Sequence, residues 1–178
     1  MTGMNVDADA LREGLAYQQS LLAALGDDDP AEVQAQAAAH IWALVNEAGD
    51  DLRTRPEPGE WSVLLCIAHL TDAEIVMAGR YRWVLAHDQP ELVGYDQALW
   101  VDALHRADED PADLLRQFEV LRVSNIELWR GSTEAERARV GLHGERGPES
   151  FDLMFRMVAG HDRVHLDQAR RALEAARR

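Results

Sequence analysis

With 178 residues, 47% of them hydrophobic, the chain is long enough to enclose one core without disulfide or metal staples. Its 18 Lys and Arg against 32 Asp and Glu give a formal net charge of −14, which repels nucleic-acid phosphates and anionic membrane surfaces alike. No apolar run reaches the ~20 residues that cross a bilayer, the first residues lack the pattern of a secretory leader, and the single cysteine, Cys66, has no disulfide partner. A cytoplasmic protein with neither nucleic acid nor membrane as partner is the expectation.

In chain order the pattern is helical almost throughout. Leu11, Leu15, Leu22 and Leu25 recur at helical spacing over residues 7–25, and Gly26 stops that segment. Asp29-Pro30-Ala31-Glu32 reads as a capped helix start, because Asp29 accepts free N–H groups and Pro30 sits where its missing N–H costs nothing. Val33, Ala37, Ile41 and Leu44 stripe the helix that follows, and Gly49 lies near its end. Two prolines and a glycine make residues 51–60 a linker. Ser62 caps the next helix, with Trp61 placed to pack on Cys66 as a hydrophobic staple. That helix runs to about His87, and its apolar circumference predicts a central, buried position. Residues 88–110 lose the periodicity, as expected of a long crossover. Asp110-Pro111 opens another helix, to about Trp129, and the last helix begins near Pro148 or Ser150. Residues 141–147 read as a turn-rich loop, and no segment reads as a β-strand. The expectation is one all-α domain.

Histidines carry the chemical signal. His161 and His165 are four apart on the last helix, one turn apart on a face shared with Met154, Met157, Val158 and Val164. One ion can bridge such a pair at ~2.0–2.1 Å from each nitrogen. Asp162 stands where a His-Glu-x-x-His protease has its glutamate, but it is one methylene shorter, so the protease reading is not supported. His69 lies in the apolar run Leu64-Leu65-Cys66-Ile67-Ala68-His69-Leu70, where an unpartnered imidazole is costly. A metal shared between two helices of a bundle supplies the partner. The competing reading makes all three histidines ordinary hydrogen-bonded core residues.

Pro58-Gly59-Glu60-Trp61-Ser62, then Ala68-His69-Leu70-x-Asp72-x-Glu74 with Arg80, then His161-Asp162-Arg163-Val164-His165-Leu166-x-Gln168, resembles the DinB-like (YfiT-like) superfamily of four-helix-bundle metalloenzymes. The resemblance runs from about residue 30 to 172, leaving the 7–25 helix as an addition to the core. It implies an up-down four-helix bundle with one long crossover, commonly a homodimer, and it matches His69, His161 and His165 to the family's metal ligands. It also implies activities that range from transfer of low-molecular-weight thiols such as bacillithiol or mycothiol to isomerisation.

Three imidazoles suit zinc, nickel, iron or copper. Zinc or nickel is the first expectation for the one divalent ion, with iron or manganese behind. Asp72, on the strip of His69, is the candidate to orient a ligand or accept a proton; its alternatives are a solvated carboxylate or a pair with Arg80. Arg80 is the candidate for an anionic substrate group and Gln168 for a substrate or a water, against surface pairing and bundle capping respectively. His143 reads as an exposed loop residue, with an acid–base group at the site mouth as its alternative; His40, His87 and His105 read as ordinary surface or packing residues, and Cys66 as a small apolar residue, with contact to the metal as its alternative. The tryptophans read as core or dimer-interface anchors, with lining a substrate pocket as the alternative for Trp100 on the crossover. Two functional readings stand ahead of a purely structural bundle. One is a metal-dependent enzyme, a thiol S-transferase acting on an electrophile or a related hydrolase; the other is a non-enzymatic metal- or ligand-binding stress-response protein.

Overall fold

The computed structural model describes residues 8–106 and 108–178. The segment read for a secretory leader lies largely in residues 1–7, outside the described residues. Helix α1 spans Ala8–Leu25, α2 Pro30–Ala48, α3 Val63–Ala86, α4 Gln97–Leu104, α5 Pro111–Gly131, α6 Glu134–Arg137 and α7 Phe151–Ala176. The caps follow the sequence signals. Asp29 accepts from the N–H groups of Ala31 and Glu32, Ser62 from Leu65, Asp110 from Ala112 and Ser150 from Leu153. Gly49 closes α2 at φ 53°, a conformation that costs glycine nothing. Part of the 51–60 linker is more ordered than its prolines suggested, because a 3-10 turn at Gly49–Arg53 precedes them.

The bundle is made by α2, α3, α5 and α7. Helices α2 and α3 each pack on both α5 and α7 and touch each other little, so consecutive helices stand on a diagonal. Their apolar faces form two clusters stacked along the bundle. One holds Ile41, Leu44, Leu64, Ile67, Leu115, Phe118 and Leu173, and the other Tyr81, Val84, Ile126, Met154 and Phe155. Between them, at the level of Gln34, His69, Glu74, Arg122, Asn125, His161 and Asp162, lies a buried polar layer.

Three short β-strands correct the expectation of none. Glu91–Leu92 (β1) pairs in parallel with Val140–His143 (β2), which pairs antiparallel with Gly147–Ser150 (β3). Strands this short carry no alternating run to read, and of the segment expected as a 141–147 loop only residues 144–146 form the turn, the rest belonging to β2 and β3. The sheet ties the crossover to the approach of α7 and carries His143 inward, so that residue is 2% exposed rather than a surface loop histidine.

Helix α1 lies along α7 and buries Gln18, Leu21 and Leu25, whereas Leu15 of the predicted stripe faces outward. Contact is closest at Gly160, where an added Cβ would stand 1.9 Å from the Leu21 carbonyl oxygen. Alanine is the better helix former by ~1 kcal/mol, yet Gly160→Ala must push α1 away. A net loss of about 1–3 kcal/mol in urea denaturation is expected; a gain in stability would contradict the close approach.

Candidate metal centre

The site grows from the polar layer. Arg122 of α5, enclosed by the bundle, donates through Nε to Glu74 Oε2 of α3 at 3.0 Å and through Nη2 to Asp162 Oδ1 of α7 at 3.0 Å, with Nη1 closing a bidentate pair on Asp162. Asn125 donates to the second Glu74 oxygen at 2.8 Å, and Gln34 of α2 donates to the Phe155 carbonyl at 2.8 Å. Burial works against the Arg122 charge, but the two carboxylates outweigh it and hold its pKa above the ordinary value. Asp162, one residue from His161, is therefore an anchor for α7, not a catalytic base. The network fixes the height of α3 against α7.

At that height the histidines meet. His69 Nε2 and His161 Nε2 are 3.0 Å apart, and one ligand atom from each of His69, His161 and His165 lies within 4.8 Å of the others. The rings crowd with centroids 4.3–5.0 Å apart. Burial and, second, repulsion from His165 bring the His69 pKa down to about 3. Burial with repulsion from His165, His69 and Arg122 lowers that of His161 well below its ordinary value. Burial lowers His165 too, opposed by its bond to Gln168 and by Asp162. All three are neutral near pH 7, which leaves their lone pairs free for a cation. Nitrogens 3.0 Å apart can both stand ~2.0–2.1 Å from one ion, so the donor set fits a divalent metal. Gln168 Oε1 accepts from His165 Nδ1 at 2.8 Å, which leaves Nε2 of that ring as its donor atom. His69 Nδ1 is buried and has no hydrogen-bond partner.

Trp61 closes one side, its ring 5.1 Å from His69 and 6.1 Å from His165; it serves the histidines besides packing on the apolar cluster that includes Cys66. Burial pushes the Cys66 thiol up to about 12, as for a small core residue. Val164, expected on the inward face with the histidines, is 38% exposed. Asp72 forms a hydrogen bond or ion pair with neither a ligand histidine nor Arg80. Its Oδ2 is 3.0 Å from His105 Nε2, and His105 Nδ1 is 2.8 Å from Glu109 Oε2. His105, read from sequence as an ordinary residue, thus clasps the crossover to α3. Burial raises the Asp72 pKa against the lowering effect of His105; on His105, burial acts downward but the bonds to Asp72 and Glu109 prevail.

Two cavities flank the cluster. One of about 510 Å³ reaches His161 and is lined by Arg80, Tyr95, His143 and Met157. The other, of about 640 Å³, reaches His165, Trp61 and Gln168, and Gln97 borders both. Tyr95 lines the first cavity, with Trp100 packed behind it at 4.7 Å.

Four helices, a long crossover and a buried trihistidine cluster between α3 and α7 define a bundle that could hold a metal ion. Residues 10–169 match the family model of the DinB superfamily, and the chain belongs to that superfamily. The match begins inside α1, so the helix set apart as an addition falls largely within it. Among solved structures the chain is similar to YfiT from Bacillus subtilis, described as a probable metal-dependent hydrolase with an unusual four-helix bundle topology. The TM-score is 0.74 at 21% identity, covering 83% of this chain and 84% of that one, a likeness of fold. No curated protein matches the sequence. Among the described residues no helix is long and apolar enough to cross a membrane.

Replacing Arg122 with Leu leaves Glu74 and Asp162 buried without their cation. The expected cost is about 3–5 kcal/mol in urea denaturation of metal-free protein; a loss under about 1 kcal/mol would show that the layer does not hold the helices.

Proposed function

We propose that the protein is a metal-dependent enzyme whose centre is His69, His161 and His165, ligands of one divalent ion, zinc or nickel before iron or manganese. The observation that carries this reading is the convergence of three buried imidazoles, neutral near pH 7, from α3 and α7. Three protein ligands leave positions open on a four- to six-coordinate ion, the arrangement of reactive rather than structural centres. Such an ion, when bound, supplies Lewis acidity and makes a nucleophile available near neutral pH. With water as nucleophile the protein is a hydrolase, the class named in the description of YfiT. With a low-molecular-weight thiol of the bacillithiol or mycothiol type it is an S-transferase acting on an electrophile.

The chain's own residues divide the remaining work. Gln168 holds the proton of His165 on Nδ1 and so orients that ring; it is a positioning residue, although it also borders the second cavity. Trp61 and the apolar wall of Met154, Met157 and Val158 restrict water around the cluster and strengthen its electrostatics. Asp72, through His105, keeps the crossover beside α3.

Elemental analysis of untagged protein is expected to find one metal ion per chain, lost in His161→Ala. The loaded wild type is expected to turn over members of an ester and amide panel or a thiol-plus-electrophile panel, and the variant to fall to background. Full turnover by the metal-free variant would overturn the metal-dependent reading. Stoichiometric metal with no turnover on either panel would favour the non-enzymatic metal-binding protein.

A further inference from the structure

The bundle buries two arginines, and their surroundings differ. Arg122 is 3% exposed and paired with two carboxylates, Glu74 and Asp162, which more than balance its charge. Arg80 is 5% exposed, yet among the described residues no carboxylate lies within ion-pair distance of it. Its guanidinium donates to the Val93 carbonyl oxygen and approaches Met77 Sδ at 3.8 Å, both neutral acceptors, and its Nε has no partner. His143 gives no compensation. Its Nδ1 accepts the Glu145 backbone N–H at 3.2 Å, so the neutral ring carries its proton on Nε2, the atom 3.4 Å from Arg80 Nη2. The buried Glu149 acts on Arg80 only from beyond contact, because its oxygens are engaged by Arg146 at 2.6 and 3.2 Å and by Gln18 at 2.7 Å. Burial accordingly lowers the Arg80 pKa. A buried cation without a counter-charge is costly, and this one lines the cavity that reaches His161.

We propose that the cavity of about 510 Å³ binds an amphipathic monocarboxylate, with the carboxylate on Arg80 and an apolar body against Leu21, Val76, Met154 and Met157. A planar guanidinium matches a carboxylate in geometry and charge. Among the described residues inside the cavity, Arg80 and Arg146 face one buried carboxylate, that of Glu149, which leaves one positive charge. The exposed rim carries Glu13, Asp96 and Glu145. Solvent screening weakens these three acids; one uncompensated cation is matched by a monoanion, whereas a dianion such as a phosphate monoester would bury a second charge that nothing inside the cavity offsets. Helix α1 supplies one wall through Gly14, Tyr17 and Leu21, which gives it a part in ligand selection besides packing. The inference rests on the metal-enzyme reading in treating this ligand as the substrate or its analogue, because His161 borders the same cavity.

Calorimetric titration of the metal-loaded protein with octanoate, octanamide and octyl phosphate tests it. Octanoate is expected to bind roughly tenfold to a hundredfold more tightly than either of the others. Arg80→Met should remove the preference over octanamide while leaving metal content unchanged, and Arg80→Lys should retain part of it should the Met variant fail to fold. His161→Ala, which strips the ion, should keep the preference. Loss of the preference in His161→Ala with retention in Arg80→Met would place the carboxylate at the histidines and overturn the proposal without touching the metal reading. Equal binding of octanoate and octanamide by the wild type would overturn it as well, whereas a missing metal with the preference intact would count against the metal reading alone.

Discussion

Arg122 is the residue around which the bundle is arranged. Its guanidinium joins α5 to α3 through Glu74 and to α7 through Asp162, inside the protein and between two apolar clusters. A desolvated ion pair is favourable only in good geometry, and this one is made at the height of α3 against α7 that the structure shows. The network therefore selects one height of α3 against α7. Asp162 follows His161 directly, so the same selection sets His161 3.0 Å from His69. Metal-binding capacity is in this sense a consequence of how the polar layer is satisfied.

The layer also explains why the centre suits a cation. Burial keeps the three imidazoles neutral, and the bond from His165 to Gln168 chooses the free nitrogen of that ring. Asp162 and Glu74 have their charges committed to Arg122, so they do not compete as ligands. An acidic protein with a net charge of −14 can in this way present a neutral nitrogen donor set with open positions instead of a carboxylate cage.

The helices were legible because their signals are local. Asp29, Ser62, Asp110 and Ser150 cap where their neighbours said they would, and the His-x-x-x-His spacing needs only helical geometry to place two rings together. What remained hidden depends on partners far along the chain. Arg122 carries no local signal, because Glu74 and Asp162, which give it its role, are 48 and 40 residues away. His105 looks ordinary until Asp72 is beside it, and His143 looks exposed because strands of four residues carry too little periodicity to announce a hairpin. Arg80 was visible as a candidate; the lack of a counter-charge that gives it meaning is a property of the folded interior.

X-ray absorption at the metal edge of protein loaded with one equivalent of zinc tests the central claim, that α3 and α7 together build a three-imidazole centre. The account predicts a first shell of nitrogen and oxygen at ~2.0–2.1 Å, imidazole multiple scattering that fits three rings, and no sulfur scatterer. A shell containing sulfur, which would implicate Cys66, or one without multiple imidazoles, would contradict it.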